Sequence, residues 1–372
     1  MRAATAYFSR DYATARARFR AVAQTAGAAL HALTLDARGP AHEELTIDIA
    51  RLGDGRAPRV LLHTSGLHGV EAFAGSAIQL ALLEKPPQLP ADCAIVLVHV
   101  LNPYGMAWLR RANENNVDLN RNFLAEGESW SGAPEIYTRI DGILNPPTQP
   151  RRDFFYLRAL WQTFRHGFRS LKQAVACGQY EFPRGLFFGG RALEQGPRLF
   201  MEWLRENLAH AHYVFALDVH TGLGAWGCDT LLLEAGAGAT PLDTLRDALG
   251  HEVINVTADP GVAYEIRGGM GGMLPRVLAG VALDFVLQEL GTYSPLVVFH
   301  ALREENRWHH CGGGLDHAVK ARLLECLCPE ASAWRTRALA HGERLARAAA
   351  RWAFAGRAVT PLKQRGEGGC GA

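Results

Sequence analysis

Several features that define large classes of protein are missing from this sequence of 372 residues. The longest apolar runs, such as 281–287, fall short of the roughly 18 to 20 residues that a membrane-spanning helix needs. The amino end has no apolar segment of the kind found in secretory signals. The formal net charge is only +2, so no strong overall field attracts nucleic acid or an anionic membrane. We therefore expect a cytoplasmic protein that binds neither nucleic acid nor membranes.

Cysteine and serine motifs of known chemistry are also missing. The seven cysteines are odd in number and scattered, which argues against a disulfide framework and favours free thiols. Cys326 and Cys328 are separated by one residue, without the second pair that a cysteine zinc site needs. No GxSxG motif is present, so an esterase with a serine nucleophile is disfavoured.

What the sequence does contain is an alternation of short apolar runs and helical patterns, typical of an α/β protein. The apolar runs have the pattern of strands covered on both faces, and they lie at 93–101, 213–219, 230–233 and 281–287. The helical patterns between them lie at 71–85, 154–175, 197–208 and 240–249. We expect a mixed, largely parallel sheet flanked by helices.

The remaining organisation follows from local signals. Asp11 can cap a first helix whose apolar stripe runs from Phe19 to Leu30. A glycine turn between 44–52 and 59–63 predicts a hairpin that leads into a buried strand. We expect one catalytic domain over 1–360 with a helical insertion at about 125–210, and a disordered glycine-rich tail at 361–372. The sequence predicts no particular oligomeric state.

Three segments carry residues with metal and carboxylate chemistry. His68 and Glu71 are three apart at the entry to a helix, close enough to share one metal ion. The stretch 102–123 contains Asn120 beside Arg121, a plausible clamp for a carboxylate, and Arg111, which could face an oxyanion. His220 ends a buried strand, where open α/β sheets build ligand sites.

Together these segments resemble the zinc carboxypeptidases of the carboxypeptidase A clan. Members carry HxxE, then a stretch ending in DLNRNF, then a third histidine and a catalytic glutamate. In this chain HGVE, RANENNVDLNRNF, DVHTG and LQELGT follow in that order, over about 59–292. The resemblance implies one zinc ion per chain, held by His68, Glu71 and His220.

The same resemblance implies roles for other residues. Glu289 is the implied catalytic carboxylate, although a buried carboxylate there could instead pair with an arginine such as Arg303. Asp118 is implied to hold a ligand imidazole, and Tyr264 is a rough match to the tyrosine that lies over the substrate. Asn120 and Arg121 are implied to bind the substrate, with Arg111 beside the reacting carbonyl.

The residues after the third histidine indicate a branch of the clan. Thr221 and Gly222 are more similar to succinylglutamate desuccinylase and aspartoacylase than to secreted digestive carboxypeptidases. We therefore expect a zinc metallohydrolase that cleaves an amide bond next to a free carboxylate, in a small peptide or an N-acyl amino acid. The alternative is a non-catalytic zinc- or ligand-binding protein that keeps the same fold.

Overall fold

The computed structural model describes residues 3–233, 238–255 and 266–356. In this part of the chain one sheet of eight strands runs in the order β1-β2-β4-β3-β5-β8-β6-β7. The strands are β1 Ala29–Arg38, β2 Glu44–Gly53, β3 Arg59–Ser65, β4 Cys93–His99, β5 Tyr213–Thr221, β6 Asp229–Leu233, β7 Val253–Asn255 and β8 Ala282–Leu290. The central strands β4, β3, β5 and β8 are parallel. The predicted α/β class with a mixed, largely parallel sheet is confirmed.

Helices connect and cover the strands on both faces. Those in the described residues are α1 Tyr12–Thr25, α2 Ala72–Glu84, α3 Pro103–Ala107, α4 Glu135–Leu144, α5 Phe155–His166, α6 Phe168–Ala176, α7 Gln195–Leu208, α8 Leu242–Leu249, α9 Met270–Val277, α10 Pro295–Cys311, α11 Ala318–Leu327 and α12 Ser332–Phe354. The predicted cap of α1 is confirmed, since the Asp11 carboxylate accepts a hydrogen bond from the Thr14 amide at 2.7 Å. None of these helices is both long and apolar enough to cross a bilayer.

The core lies in two layers, one on each face of the sheet. On one face α1, α2, α8 and α12 bury side chains that include Phe19 and Trp334. On the other face α7 and α9 bury Phe200 and Met273 among others. A third apolar cluster joins α4, α6, α10 and α11, so these helices form a separate layer beside the sheet.

Three local predictions from the sequence are wrong. β2 and β3 do not form a hairpin, because β4 lies between them and pairs with both. Leu30 belongs to β1 and not to the first helix, because the chain turns at Gly27, whose φ is +73°. The helical stretch 154–175 is two helices, separated at Gly167 with a φ of +77°.

The helices α4 to α7 fall within the region predicted as an insertion, and the predicted tail at 361–372 lies outside the described residues. β3, β5 and β8 are adjacent and parallel, so their carboxyl ends meet at one edge of the sheet. His220 of β5 pairs in register with Glu289 of β8. This edge carries the candidate site.

Candidate active site and metal centre

A tight turn at the end of β3 carries the first two candidate ligands. The chain passes from His68 through a short 3₁₀ turn at Gly69–Glu71 into α2. The Val70 amide donates to the Arg110 carbonyl at 2.8 Å. A Cβ on Gly69 would lie 2.1 Å from the carbonyl carbon of Gly105, so only glycine allows this close approach of two backbones. The turn is therefore held rigidly, with both ligand side chains buried.

His68, Glu71 and His220 form one buried group of potential metal ligands. One donor atom from each residue lies within 4.8 Å of the other two. The Nδ1 atom of His68 is 3.0 Å from Glu71 Oε1, and the Nδ1 atom of His220 is 3.3 Å from Glu71 Oε2. Two imidazoles and one carboxylate in this arrangement are a donor set that suits a catalytic zinc ion.

The outer nitrogen of each imidazole faces a carboxylate. His68 Nε2 lies 3.1 Å from Asp118 Oδ1, as the resemblance implied for Asp118. His220 Nε2 lies 2.6 Å from Asp218 Oδ2. At His220 this carboxylate favours a proton on Nε2 and leaves Nδ1 free to bind a metal.

Asp218 is a site residue that the sequence analysis missed. A signal was present in the sequence, because Asp218 lies two residues before His220 on a strand. Residues two apart on a strand face the same side. The Asp218 carboxylate also accepts a hydrogen bond from the Thr64 hydroxyl at 2.7 Å, which ties it to β3.

Charges in this group are strongly coupled. Burial disfavours ionisation of Glu71, but the adjacent His68 and His220 lower the pKa of its carboxyl well below the usual range. Burial likewise opposes charge on His220, but Asp218 and Glu71 raise its pKa well above the usual value. The charge on His220 and the charge on Glu71 therefore stabilise each other.

Arg111 lies directly against the ligand group. It donates from Nε to Asp118 Oδ2 and from Nη1 to Glu71 Oε1, both at 3.0 Å. Its Nη2 atom is 2.6 Å from His68 Nε2. Arg111 thus positions two carboxylates of the centre, and its side chain also lines the adjoining cavity.

Glu289 lies on β8 next to the ligand group. Its Oε2 atom is buried and has no hydrogen-bond partner in the described part of the chain. Burial is the main reason that the pKa of this carboxyl rises to about 7, and Glu71 adds to it, while His220 and Arg111 oppose it. Arg303 is not its partner, because that guanidinium pairs with Asp153 and Glu304.

A cavity of about 670 Å³ opens beside these residues. Glu289 and Asn120 line it together with the ligand group. Phe187 also lines it, and further wall residues that the sequence did not predict include Phe299, Leu302, Glu128, Lys172, Arg267 and Arg276. The cavity is thus partly apolar and carries several cationic side chains.

The two residues of the predicted carboxylate clamp differ in position. Asn120 lines the cavity, and its Oδ1 atom accepts from the Met270 amide at 3.0 Å. Arg121 is fully buried, and its guanidinium donates to the carbonyl oxygens of Asn120 and Ala176. Tyr264 lies outside the described residues, although 266–269 immediately after it line the cavity.

Comparison with solved structures gives matches of low sequence identity. The chain is similar to carboxypeptidase A from Helicoverpa armigera, with 16% identity over 85% of this chain and 73% of that one, at a TM-score of 0.46. It is also similar to the murein-tripeptide amidase of Escherichia coli O157, with 16% identity over 75% and 92% of the two chains and a TM-score of 0.38. A third match is a protein from Shewanella amazonensis SB2B, described in terms of the succinylglutamate desuccinylase/aspartoacylase family, with 19% identity, coverage of 76% and 71%, and a TM-score of 0.35.

No curated protein matches the sequence. One family model, described as "Protein of unknown function (DUF2817)", matches residues 8–341. This range contains the whole ligand group together with Glu289. The chain belongs to the DUF2817 family.

Proposed function

We propose that the protein is a zinc-dependent hydrolase that cleaves an amide bond next to a free carboxylate. The observation that carries this proposal is the buried group of His68, Glu71 and His220 beside a carboxyl, Glu289, whose Oε2 atom has no partner in the described residues. A binding protein has no need of an acid–base group at that position.

The donor set fits zinc better than calcium or magnesium. Two imidazole nitrogens and one carboxylate match catalytic zinc sites, whereas calcium and magnesium prefer oxygen ligands throughout. Both imidazoles have a carboxylate behind them, in Asp118 and Asp218, as is usual for histidines that bind metals. When bound here, zinc would polarise a substrate carbonyl and make a nearby water more acidic.

Glu289 is the proposed general base and acid. A carboxyl with a pKa of about 7 can accept and release a proton at neutral pH. Its side chain would take a proton from the attacking water and deliver it to the leaving nitrogen. The amide then becomes a carboxylic acid and an amine, with one water consumed.

Arg111 and Asn120 are the proposed contacts for the negatively charged parts of the substrate. Both side chains line the cavity. Arg121 would act through Asn120, because it donates to the Asn120 carbonyl oxygen at 2.8 Å. The cations Arg267 and Arg276 on the cavity wall also favour a substrate with a free carboxylate. Such substrates are short peptides with a free C-terminus and N-acyl amino acids.

The test combines metal content and hydrolysis on the purified protein. We expect about one zinc per chain in the wild type by mass spectrometry, loss of zinc and activity in His68→Ala, and retained zinc in Glu289→Gln. Loss of general base and acid catalysis in Glu289→Gln should lower kcat by about 10²- to 10⁴-fold. A panel of dipeptides and N-acyl amino acids distinguishes a carboxypeptidase from a deacylase.

Three outcomes would contradict the proposal or part of it. Wild-type protein that stays metal-free when zinc is supplied would exclude a zinc hydrolase. A zinc-loaded protein whose hydrolysis is unchanged in Glu289→Gln would remove the assigned role of Glu289. Zinc binding with no hydrolysis of any panel member would favour the non-catalytic alternative.

A further inference from the structure

A pair of helices beside the cavity exposes many apolar side chains. α5 and α6 are joined at Gly167, and their outer face carries Leu157, Leu160, Trp161, Phe164 and Phe168, each more than half exposed. We call these two helices with Phe154 the helical hairpin. Exposed apolar clusters of this kind mark surfaces that bind a partner or a membrane.

The charges of the helical hairpin have one sign only. Residues 154–177 include Arg158, Arg165, Arg169 and Lys172 and contain no aspartate or glutamate. The three arginines are exposed and form no salt bridge with any described residue. Asp153, just before α5, is paired with Arg303. The hairpin therefore presents an apolar surface together with three exposed arginines that form no salt bridge in the described residues.

We propose that the helical hairpin docks on the surface of an anionic lipid bilayer. Interfacial helices bury tryptophan, phenylalanine and leucine at the boundary of head groups and acyl chains, while arginines bind anionic head groups. A second copy of this chain is a poorer occupant, because a symmetric contact would bring the arginines of two hairpins together. An anionic bilayer offers acyl chains to the apolar side chains and negatively charged head groups to the arginines.

This proposal amends the expectation of no membrane partner. That expectation came from the small net charge and from the lack of a spanning segment. Charge interactions are screened beyond about 10 Å at ordinary ionic strength. A local cluster of arginines can therefore attract anionic lipids whatever the net charge of the chain. A surface helix also needs no spanning length.

Docking there would place the cavity next to the bilayer. α6 contributes Lys172, Gln173 and Ala176 to the cavity wall, and Cys177 follows directly after the helix. On α5, the Phe155 ring stacks with Phe299 of the same cavity at 6.0 Å between centroids. The same two helices therefore form the apolar outer surface and one side of the candidate active site.

The first experiment measures sedimentation of the full chain with lipid vesicles. We expect binding to phosphatidylcholine vesicles that contain phosphatidylserine, weaker binding in high salt, and little binding to phosphatidylcholine alone. Arg165→Gln should lower the partition coefficient about fivefold. Arg351→Gln removes the same charge from an exposed side chain of α12, away from the hairpin. This control variant should bind as the wild type does. Thermal unfolding of each variant checks that it is folded.

The second experiment tests whether Trp161 enters the bilayer. Brominated lipids in the vesicles should quench part of the wild-type tryptophan emission, and Trp161→Phe should bind equally well but lose that quenching. The proposal fails if anionic and neutral vesicles bind equally, if Arg351→Gln weakens binding as much as Arg165→Gln, or if no binding occurs. A dimer in solution that Phe164→Ser dissociates, without vesicle binding, would identify a second copy as the occupant instead.

Discussion

At the scale of single residues, the orientation of His220 depends on Asp218. The carboxylate lies 2.6 Å from His220 Nε2 and is itself held by the Thr64 hydroxyl. Its negative charge fixes the proton on the outer nitrogen and makes the ring a better donor to a metal. Asp218 is therefore a positioning residue for the proposed metal centre and would not need to touch the metal itself.

Asp218→Asn should weaken zinc binding by about 10- to 100-fold, because an amide at this position supplies no charge to the imidazole. Competition with a chelator of known affinity measures this. The matched control is Asp284→Asn, which alters a buried carboxylate that accepts hydrogen bonds from Tyr213 and Thr240 away from the centre. The control should lose stability but keep its zinc affinity within about twofold. Equal loss in both variants would show that the effect is one of general stability.

The limits of sequence reasoning at this scale are visible in Arg121. Its position beside Asn120 predicted a side chain that faces the substrate, but its donors reach the carbonyls of Asn120 and Ala176. Ala176 is at the end of α6, 55 residues away. Which way a side chain points depends on such distant groups, so it cannot be obtained from the local motif. The grouping of His68, Glu71 and His220 could be expected from the resemblance, because the motifs HGVE and DVHTG that carry these residues are local properties of the sequence.

At the scale of elements, the turn that carries His68 and Glu71 depends on a contact between two backbones. Gly69 meets Gly105 of α3 so closely that no side chain fits between them. α3 is held in turn by Asn102, whose side chain caps it through the Gly105 amide at 2.8 Å. The geometry of the metal group thus depends on a neighbouring helix that supplies no ligand.

Gly69→Ala should reduce both stability and zinc content, because the new methyl group must displace the turn or α3. Overpacking of this kind costs about 1–3 kcal/mol. Gly142→Ala is the control, since its Cβ would meet nothing within 4 Å inside α4 and alanine favours a helix by about 1 kcal/mol. Thermal unfolding with metal analysis measures both effects. Full zinc content and an unchanged midpoint in Gly69→Ala would show that the turn is more adaptable than this contact implies.

The elements themselves differ in how far the sequence predicts them. The strands predicted to begin at 93, 213 and 281 begin within one or two residues of those positions in the structure. They could be recognised because buried parallel strands are uninterrupted apolar runs. β1 was not predicted from the sequence. Most of its side chains are exposed or partly exposed, so the hydrophobic pattern of this strand differs little from that of the preceding helix. The false hairpin shows that a glycine turn does not determine which strands pair. Pairing is decided by packing across the whole sheet.

At the scale of the whole molecule, stability should depend on buried histidines. His99 of β4 is fully buried, stacks on Phe19 of α1 at 4.5 Å and lies 2.9 Å from the Ser76 hydroxyl of α2. Burial lowers the pKa of its imidazole to about 3. The folded protein therefore binds a proton at His99 only when the pH is far below the ordinary pKa of a histidine.

The unfolded chain binds that proton near pH 6.5, so the contribution of His99 to stability is complete above this pH. It is lost as the pH falls from about 6.5 toward 3, by about 1.4 kcal/mol per pH unit. We expect the stability advantage of the wild type over His99→Gln to shrink across this range. Unfolding in a chelator at several pH values measures it without interference from metal binding.

His212→Gln provides the control for this titration. His212 is exposed, so this variant removes an imidazole without changing the packing of the core. If the wild-type advantage over His99→Gln depends on pH no more steeply than the advantage over His212→Gln, the buried imidazole is not the group responsible.

The register between β5 and β8 has a consequence for folding kinetics. Nine residue pairs join these strands, from Tyr213 with Ala282 to Thr221 with Leu290, and they bring together segments far apart in the chain. Contacts of such long sequence separation form slowly, since loop closure precedes any gain from pairing. His220 and Glu289 become neighbours only when this ladder is complete. His68 and Glu71 reach His220 through a second long-range ladder, in which β3 pairs with β5 from Arg59 with Tyr213 to Ser65 with Val219. During refolding, the return of any metal affinity would therefore follow this pairing and come later than the recovery of helical signal.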